Sequence, residues 1–246
     1  MEIFNDLIKK TYALLPENGR TYEYMSDCSA CKGRENELIL EREAAYELGG
    51  GNKPCVSYAL FTEDESLVPE DEISVYGSDL TDIREDSSFA RIALIRTDFI
   101  EENGDQGAYA IIENIALRKY DVFPKGYMVR TAALSNREQV RVAGSAIKAG
   151  LSFRDVGSIY ISEYKKNKHV KAVKMIFITL PQVDYSALDR FGTRSTEIFR
   201  ALNHIIADLN MDCRHCEWKP VCDEVEGMKE MHIKVRDTGK KSKKPL

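Results

Sequence analysis

The stretch Ala90-Arg-Ile-Ala-Leu-Ile95 is mostly apolar and rich in residues that favour β-structure. A short, continuous apolar run of this kind is typical of a strand that is covered on both faces. We therefore expect residues 90–95 to form an inner strand of a sheet. Alternating or β-rich composition predicts further strands on either side of it. These predicted strands cover residues 56–61, 73–76, 127–133 and 170–180.

Apolar residues at helical spacing predict helices before, between and after these strands. Ser135-Asn-Arg-Glu138 also matches a capping box, in which the serine and glutamate side chains bind each other's backbone amides, so we predict a helix there. The predicted helices cover residues 3–15, 105–120, 135–149, 153–164 and 186–209, with a break considered at Gly192. Since strands and helices do not alternate strictly, the pattern favours an α+β fold with a mixed, mainly antiparallel sheet and packed helices.

The composition is that of an ordinary globular protein: 43% of the 246 residues are apolar and 30% are charged. The formal net charge of −5 offers no basic bias towards a phosphate backbone, so we do not expect a nucleic-acid partner. No apolar run reaches the roughly 18–20 residues that span a bilayer, and no signal-peptide pattern opens the chain. The sequence therefore predicts a cytoplasmic protein without a membrane partner.

Three cysteines near the C-terminal end, Cys213, Cys216 and Cys222, have the spacing C-x2-C-x5-C and lie among charged residues. Two thiolates separated by two residues can bind one tetrahedral centre, which suits either zinc or an iron–sulfur cluster. Cys28 and Cys31 are spaced C-x2-C near the N-terminus, and two alternatives are open for them: one supplies a fourth thiolate to this site, or both hold a separate centre. We therefore predict a cysteine-rich metal-binding lobe that joins the two ends of the chain.

These elements divide the chain into four predicted regions. Residues 1–43 hold the N-terminal helix and the Cys-x2-Cys segment, and residues 44–182 form the central α+β domain. Residues 183–235 hold a helix and the C-terminal cysteine knuckle, which we define as residues 213–222. Residues 236–246 are predicted to be a disordered basic tail, since short charged termini seldom order by themselves.

Several motifs of the central region resemble the acetyl-CoA synthase subunit of the carbon monoxide dehydrogenase/acetyl-CoA synthase complex. The most distinctive is Gly-Ser-Asp-Leu-Thr-Asp-Ile-Arg-Glu-Asp-Ser-Ser at residues 77–88, which resembles that family's G-P-D-L-x-D-L-x-E-G-S-S stretch. Other motifs follow the family's order at residues 46–50, 126–130, 156–157 and 174–179. The resemblance covers residues 44–182, the middle domain of the bacterial enzyme. It implies a role in one-carbon and coenzyme A metabolism, and it favours a [4Fe-4S] cluster over zinc.

The chain also departs from this family. The family binds a catalytic nickel ion through a Cys-Gly-Cys tripeptide, and this chain has none. The resemblance therefore implies a divergent or accessory component without its own nickel site, whose partners would be subunits of that complex or corrinoid proteins. The alternative is the CO-methylating acetyl-CoA synthase itself, an acyltransferase. A second alternative is a magnesium-dependent iron–sulfur nuclease, because the knuckle resembles that of such nucleases and Asp155…Glu163-Tyr-Lys165 has the D…E-x-K form.

Four cationic residues surround the predicted start of the Ser135 helix: Lys125, Arg130, Arg137 and Arg141. Phosphate groups bind where arginine and lysine lie close to a helix N-terminus. We therefore take these four residues as candidates for binding coenzyme A. The sequence identifies no catalytic residue.

Overall fold

The computed structural model describes residues 2–28, 32–98, 104–132, 135–206, 219–221 and 223–224. Its helices are α1 (Glu2–Leu14), α2 (Gly104–Leu117), α3 (Gly144–Lys148), α4 (Phe153–Tyr164) and α5 (Tyr185–Ile206). Its strands are β1 (Arg20–Glu23), β2 (Ala44–Leu48), β3 (Cys55–Thr62), β4 (Glu72–Tyr76), β5 (Phe89–Thr97), β6 (Tyr127–Thr131), β7 (Glu138–Ala143) and β8 (Val170–Ile178). Within these residues, none of the helices has the length and apolar character needed to cross a membrane.

The strands form two sheets. The larger has the order β1-β4-β8-β5-β3, in which β4 pairs with β8, and β5 with β3, in parallel. The smaller has the order β2-β7-β6 and is antiparallel throughout. Four of the six pairings between the described strands are antiparallel. The predicted mixed, mainly antiparallel α+β arrangement with packed helices is therefore confirmed.

The predicted inner strand lies inside the larger sheet as β5, between β3 and the central strand β8. Every residue of β5 except Arg96 is buried, as its continuous apolar sequence predicts. Helices α1 and α5 pack against β3, and α4 packs against β4 and β8. Phe4, Phe61 and Phe199 bring α1, β3 and α5 together, with ring centroids 5.6–6.0 Å apart. The two terminal regions predicted from sequence thus contribute helices to the same core as the central region.

The predicted helix over residues 135–149 is wrong. Residues 138–143 form β7, and only residues 144–148 are helical. In β7, Glu138, Val140 and Val142 are buried while the residues between them are partly exposed, which is the two-residue period of a strand. A capping box does occur at Ser152 and Asp155, where it begins α4. The long helix α5 is continuous through Gly192.

Candidate functional site

A buried ion pair joins the two sheets. Arg91, the third residue of β5, donates from Nε and Nη2 to the two carboxylate oxygens of Glu138, the first residue of β7, each at 2.5 Å. Both side chains are nearly inaccessible, at 1% and 2% exposure. Nη2 also donates to Ser57 Oγ at 2.7 Å, and the guanidinium lies 4.4 Å from the Tyr160 ring centroid. Such a bidentate, well-bonded geometry is what a buried charge pair requires.

Both members of this pair are charged in the folded protein. Desolvation alone would raise the pKa of Glu138, but the charge and hydrogen bonds of Arg91 outweigh it and lower that pKa below its usual 4.5. Desolvation alone would lower the pKa of Arg91, and the Glu138 charge instead raises it. The core therefore contains a neutralised pair rather than a neutral acid.

This pKa shift predicts a loss of stability in acid. Because the folded-state pKa of Glu138 lies below its unfolded value, its contribution is complete above about pH 6 and is lost as the pH falls through 4.5 and below. We expect the urea midpoint to fall over this range. In an Arg91→Met/Glu138→Leu double variant, which has no group to protonate here, the midpoint should fall less. Equal acid sensitivity of the two proteins would contradict the assignment.

A polar cavity of about 290 Å³ lies beside the ion pair, where β3, β6, β7 and α5 meet the short 3-10 helix Arg118–Asp121. Two of the residues that line it, Ser57 and Glu138, are buried, while several of the others are exposed. The residues that line it are Ser57, Lys119, Tyr120, Thr131, Ala132, Ser135, Asn136, Arg137, Glu138, Asp189, Thr193, Thr196, Glu197 and Arg200. Nearly all of them carry a charge, a hydroxyl or an amide. The cavity therefore suits a polar ligand.

Asn136 attaches the segment before β7 to the rest of the cavity wall. Its carbonyl accepts from the Ser57 amide at 2.7 Å, and its side-chain amide bonds Thr193 and Thr196 of α5 at 3.2 and 3.3 Å. Gly192 allows this approach, because a Cβ there would lie 2.9 Å from Asn136 Nδ2. Gly192, considered as a helix break from the sequence, is thus a packing position that shapes the cavity.

The structure places only one of the four predicted coenzyme A residues in the cavity. Arg137 lines it, as do Lys119 and Arg200, which sequence reasoning missed. Arg200 had a sequence signal, since α5 presents residues 189, 193, 196 and 200 at helical spacing. For Lys119 we find no such signal. Lys125 is exposed and lies outside the described wall of the cavity.

Arg130 and Arg141 bind a carboxylate of their own sheet instead. Arg130 Nη2 lies 2.8 Å from Glu47 Oε2, and Arg141 Nε lies 2.7 Å from Glu47 Oε1. Desolvation opposes ionisation of Glu47, but the hydrogen bond of Arg141 and the charge of Arg130 lower its pKa. These two arginines therefore hold β2, β6 and β7 together, and of the four coenzyme A candidates only Arg137 lines the cavity.

The stretch at residues 77–88 has a structural role in this fold. Asp79 is buried, and its carboxylate accepts from the Phe153 amide at the start of α4 at 2.8 Å. Tyr46 of β2 donates to the carbonyl of Leu80 at 2.6 Å, and the Ser87 amide donates to the carbonyl of Glu47. The segment therefore connects the smaller sheet to α4.

The predicted cysteine ligands fall mainly outside the described residues. Cys31, Cys213, Cys216 and Cys222 lie there. Cys28 is half-buried, and its thiol lies 3.7 Å from Asp155 Oδ1. Across the ranges that the structure does describe, no group of three or more His, Cys, Asp and Glu residues is placed to hold a metal ion.

The D…E-x-K triplet does not form a single site. Asp155 lies in the first turn of α4 and Glu163 in its last, separated by eight residues or about 12 Å of helix. Glu163 is buried beside Lys166 Nζ at 2.7 Å and Lys32 Nζ at 3.4 Å, and Lys165 pairs with Asp71. One magnesium ion cannot be shared by the two carboxylates in this arrangement, so the triplet gives no support to a nuclease.

Searches against protein-family models and against curated proteins found no match. The cavity, the ion pair beside it and the motifs in the sequence are therefore the observations from which a function can be proposed.

Proposed function

We propose that this protein is a divergent or accessory component of carbon monoxide dehydrogenase/acetyl-CoA synthase-type one-carbon metabolism, without its own nickel site. Its described part would bind a phosphate-bearing ligand of the coenzyme A type. The observation that carries this proposal is the polar cavity. Its lining includes Arg137, Lys119 and Arg200 together with hydroxyl and amide side chains. Its partners would be subunits of that complex or corrinoid proteins, in the cytoplasm.

The chemistry of the cavity supports an anionic ligand. Guanidinium groups bind phosphate in a bidentate manner, and a lysine adds a point charge. Arg91 neutralises the negative charge of Glu138, so Glu138 does not repel an anion strongly. A volume of about 290 Å³ is at the lower end for ligand pockets, so part of a coenzyme A molecule would lie outside it.

The proposed cofactor is a [4Fe-4S] cluster, with zinc as the alternative. Cys213, Cys216 and Cys222 would bind it together with Cys28 or Cys31, through thiolates that both kinds of centre accept. A cluster would supply a structural link or one-electron transfer. The residues in the cavity would hold and orient the second ligand.

Metal analysis of protein purified without oxygen tests this part of the proposal. About four irons per chain would support the cluster. One zinc would make the knuckle a structural clip, and nickel together with iron would favour the CO-methylating acetyl-CoA synthase itself. Absence of all three metals would overturn the metal proposal.

Replacement of Arg137 tests the proposed ligand. We expect Arg137→Ala to weaken coenzyme A binding about tenfold in calorimetry, since a charge-assisted hydrogen bond contributes about 1.5 kcal/mol. Arg130→Ala is the matched control, because Arg130 was an equal candidate by sequence but binds Glu47. Its affinity should equal that of the unmodified protein. Equal affinities for all three proteins would argue against the cavity as the binding site.

A further inference from the structure

The charges of the cavity wall are mixed. Its three cations, Lys119, Arg137 and Arg200, are accompanied by the three carboxylates of Glu138, Asp189 and Glu197. Arg91 neutralises the first of these, and Arg194 lies 3.3 Å from the third. A simple anion can accept no hydrogen bond from any of these carboxylates, because ionised carboxylates are acceptors only. The ligand should therefore carry hydrogen-bond donors as well as negative charge.

The wall also combines an aromatic ring with many hydroxyls. Tyr120 is 52% exposed, and Lys119 Nζ lies 5.0 Å from its ring centroid. Serine, threonine and asparagine side chains supply neutral hydrogen bonds at six positions: Ser57, Thr131, Ser135, Asn136, Thr193 and Thr196. Among the described lining residues, Ala132 alone is aliphatic. The alkyl parts of a pantetheine arm would find little apolar surface here.

We infer that the cavity binds a nucleoside phosphate, and that the ligand proposed above would enter it by its nucleotide end. The identity of the whole ligand rests on the proposed function. The nucleoside phosphate is inferred separately, from the side chains that line the cavity. Phosphate groups bind the cations, and ribose hydroxyls donate to carboxylates such as Asp189. The base stacks on the exposed ring of Tyr120, since every base offers a π-face to an aromatic side chain.

Titration calorimetry of the full chain with four probes tests this inference. The probes are coenzyme A, ADP, pantetheine and inorganic pyrophosphate. We expect ADP to bind with an affinity similar to that of coenzyme A, and pantetheine to show no binding. Tyr120→Leu should weaken ADP about tenfold through lost stacking. The same variant should leave pyrophosphate unchanged, which separates loss of stacking from general damage to the cavity.

The outcomes distinguish the two proposals. Binding of coenzyme A and pantetheine without ADP would overturn the nucleotide inference and leave the proposed function standing. Binding of ADP without coenzyme A would support the inference and overturn the proposed ligand. If Tyr120→Leu binds ADP as the unmodified protein does, or if pyrophosphate binds as tightly as ADP, the nucleoside is not recognised and the inference fails. Lack of binding by all four probes would overturn both proposals.

Discussion

Replacing Glu138 by alanine should lower the free energy of unfolding by about 3–5 kcal/mol, the largest loss that we expect from a single substitution. The change leaves the Arg91 guanidinium, which is 1% exposed, without its counter-charge in the core. Arginine stays protonated at any ordinary pH, so it cannot relieve this by losing its proton. Urea denaturation followed by circular dichroism measures the loss.

Two controls make this result specific. The Arg91→Met/Glu138→Leu double variant removes both charges, and we expect it to lose much less stability than Glu138→Ala. It also keeps the test decisive if the single variant does not fold. Arg130→Ala breaks an exposed pair with Glu47 and should cost no more than about 1 kcal/mol. A loss below 1 kcal/mol for Glu138→Ala would contradict the buried-pair assignment.

Replacing Gly49 by alanine should have the next largest effect, about 2–4 kcal/mol. Gly49 follows β2 and has φ +68, a left-handed conformation that side chains disfavour. A Cβ at this position would also lie 2.2 Å from the Cβ of Cys55, which is buried at the start of β3. Since real Cβ atoms do not approach so closely, the backbone of one of these segments must move. Urea denaturation again gives the loss.

Gly51 is a matched control in the same turn. Its φ of +57 is also left-handed, but a Cβ there would meet nothing within 4 Å. Gly51→Ala therefore tests the conformational cost alone, which we expect to be about 1 kcal/mol. The difference between the two variants measures the steric conflict with Cys55. Equal losses would show that the approach of Gly49 to Cys55 is unimportant.

The error at residues 135–149 shows where local sequence signals fail. Ser135 and Glu138 match a capping box, but the same two residue types also occur where no helix begins. Glu138 is instead buried in the core, where it forms an ion pair with Arg91, a residue 47 positions away. The alternation of Val140 and Val142 was also present in the sequence and would have favoured a strand. A long-range ion pair and a buried face together outweighed the local cap.

The candidate site shows the same limit for charged residues. Arg130, Arg137 and Arg141 are equivalent when only their spacing is considered. Their roles differ because Glu47, 83 residues before Arg130 and 94 before Arg141, binds these two. Arg137 lies beside Cys55 and lines the cavity. Lys119 lines the cavity from the 3-10 helix Arg118–Asp121, and no sequence pattern predicts that placement.

By itself the sequence determined the inner strand at residues 90–95, most of the other strands and four of the helices. Apolar periodicity predicts these elements because each segment has an apolar face that must be buried, wherever the segment lies in the fold. Tertiary structure alone decided which charges meet. Arg91 and Glu138 come from different sheets, and their attraction depends on a separation in space that no local pattern encodes. The cavity beside them exists for the same reason: its walls come from five segments that only the packed fold brings together.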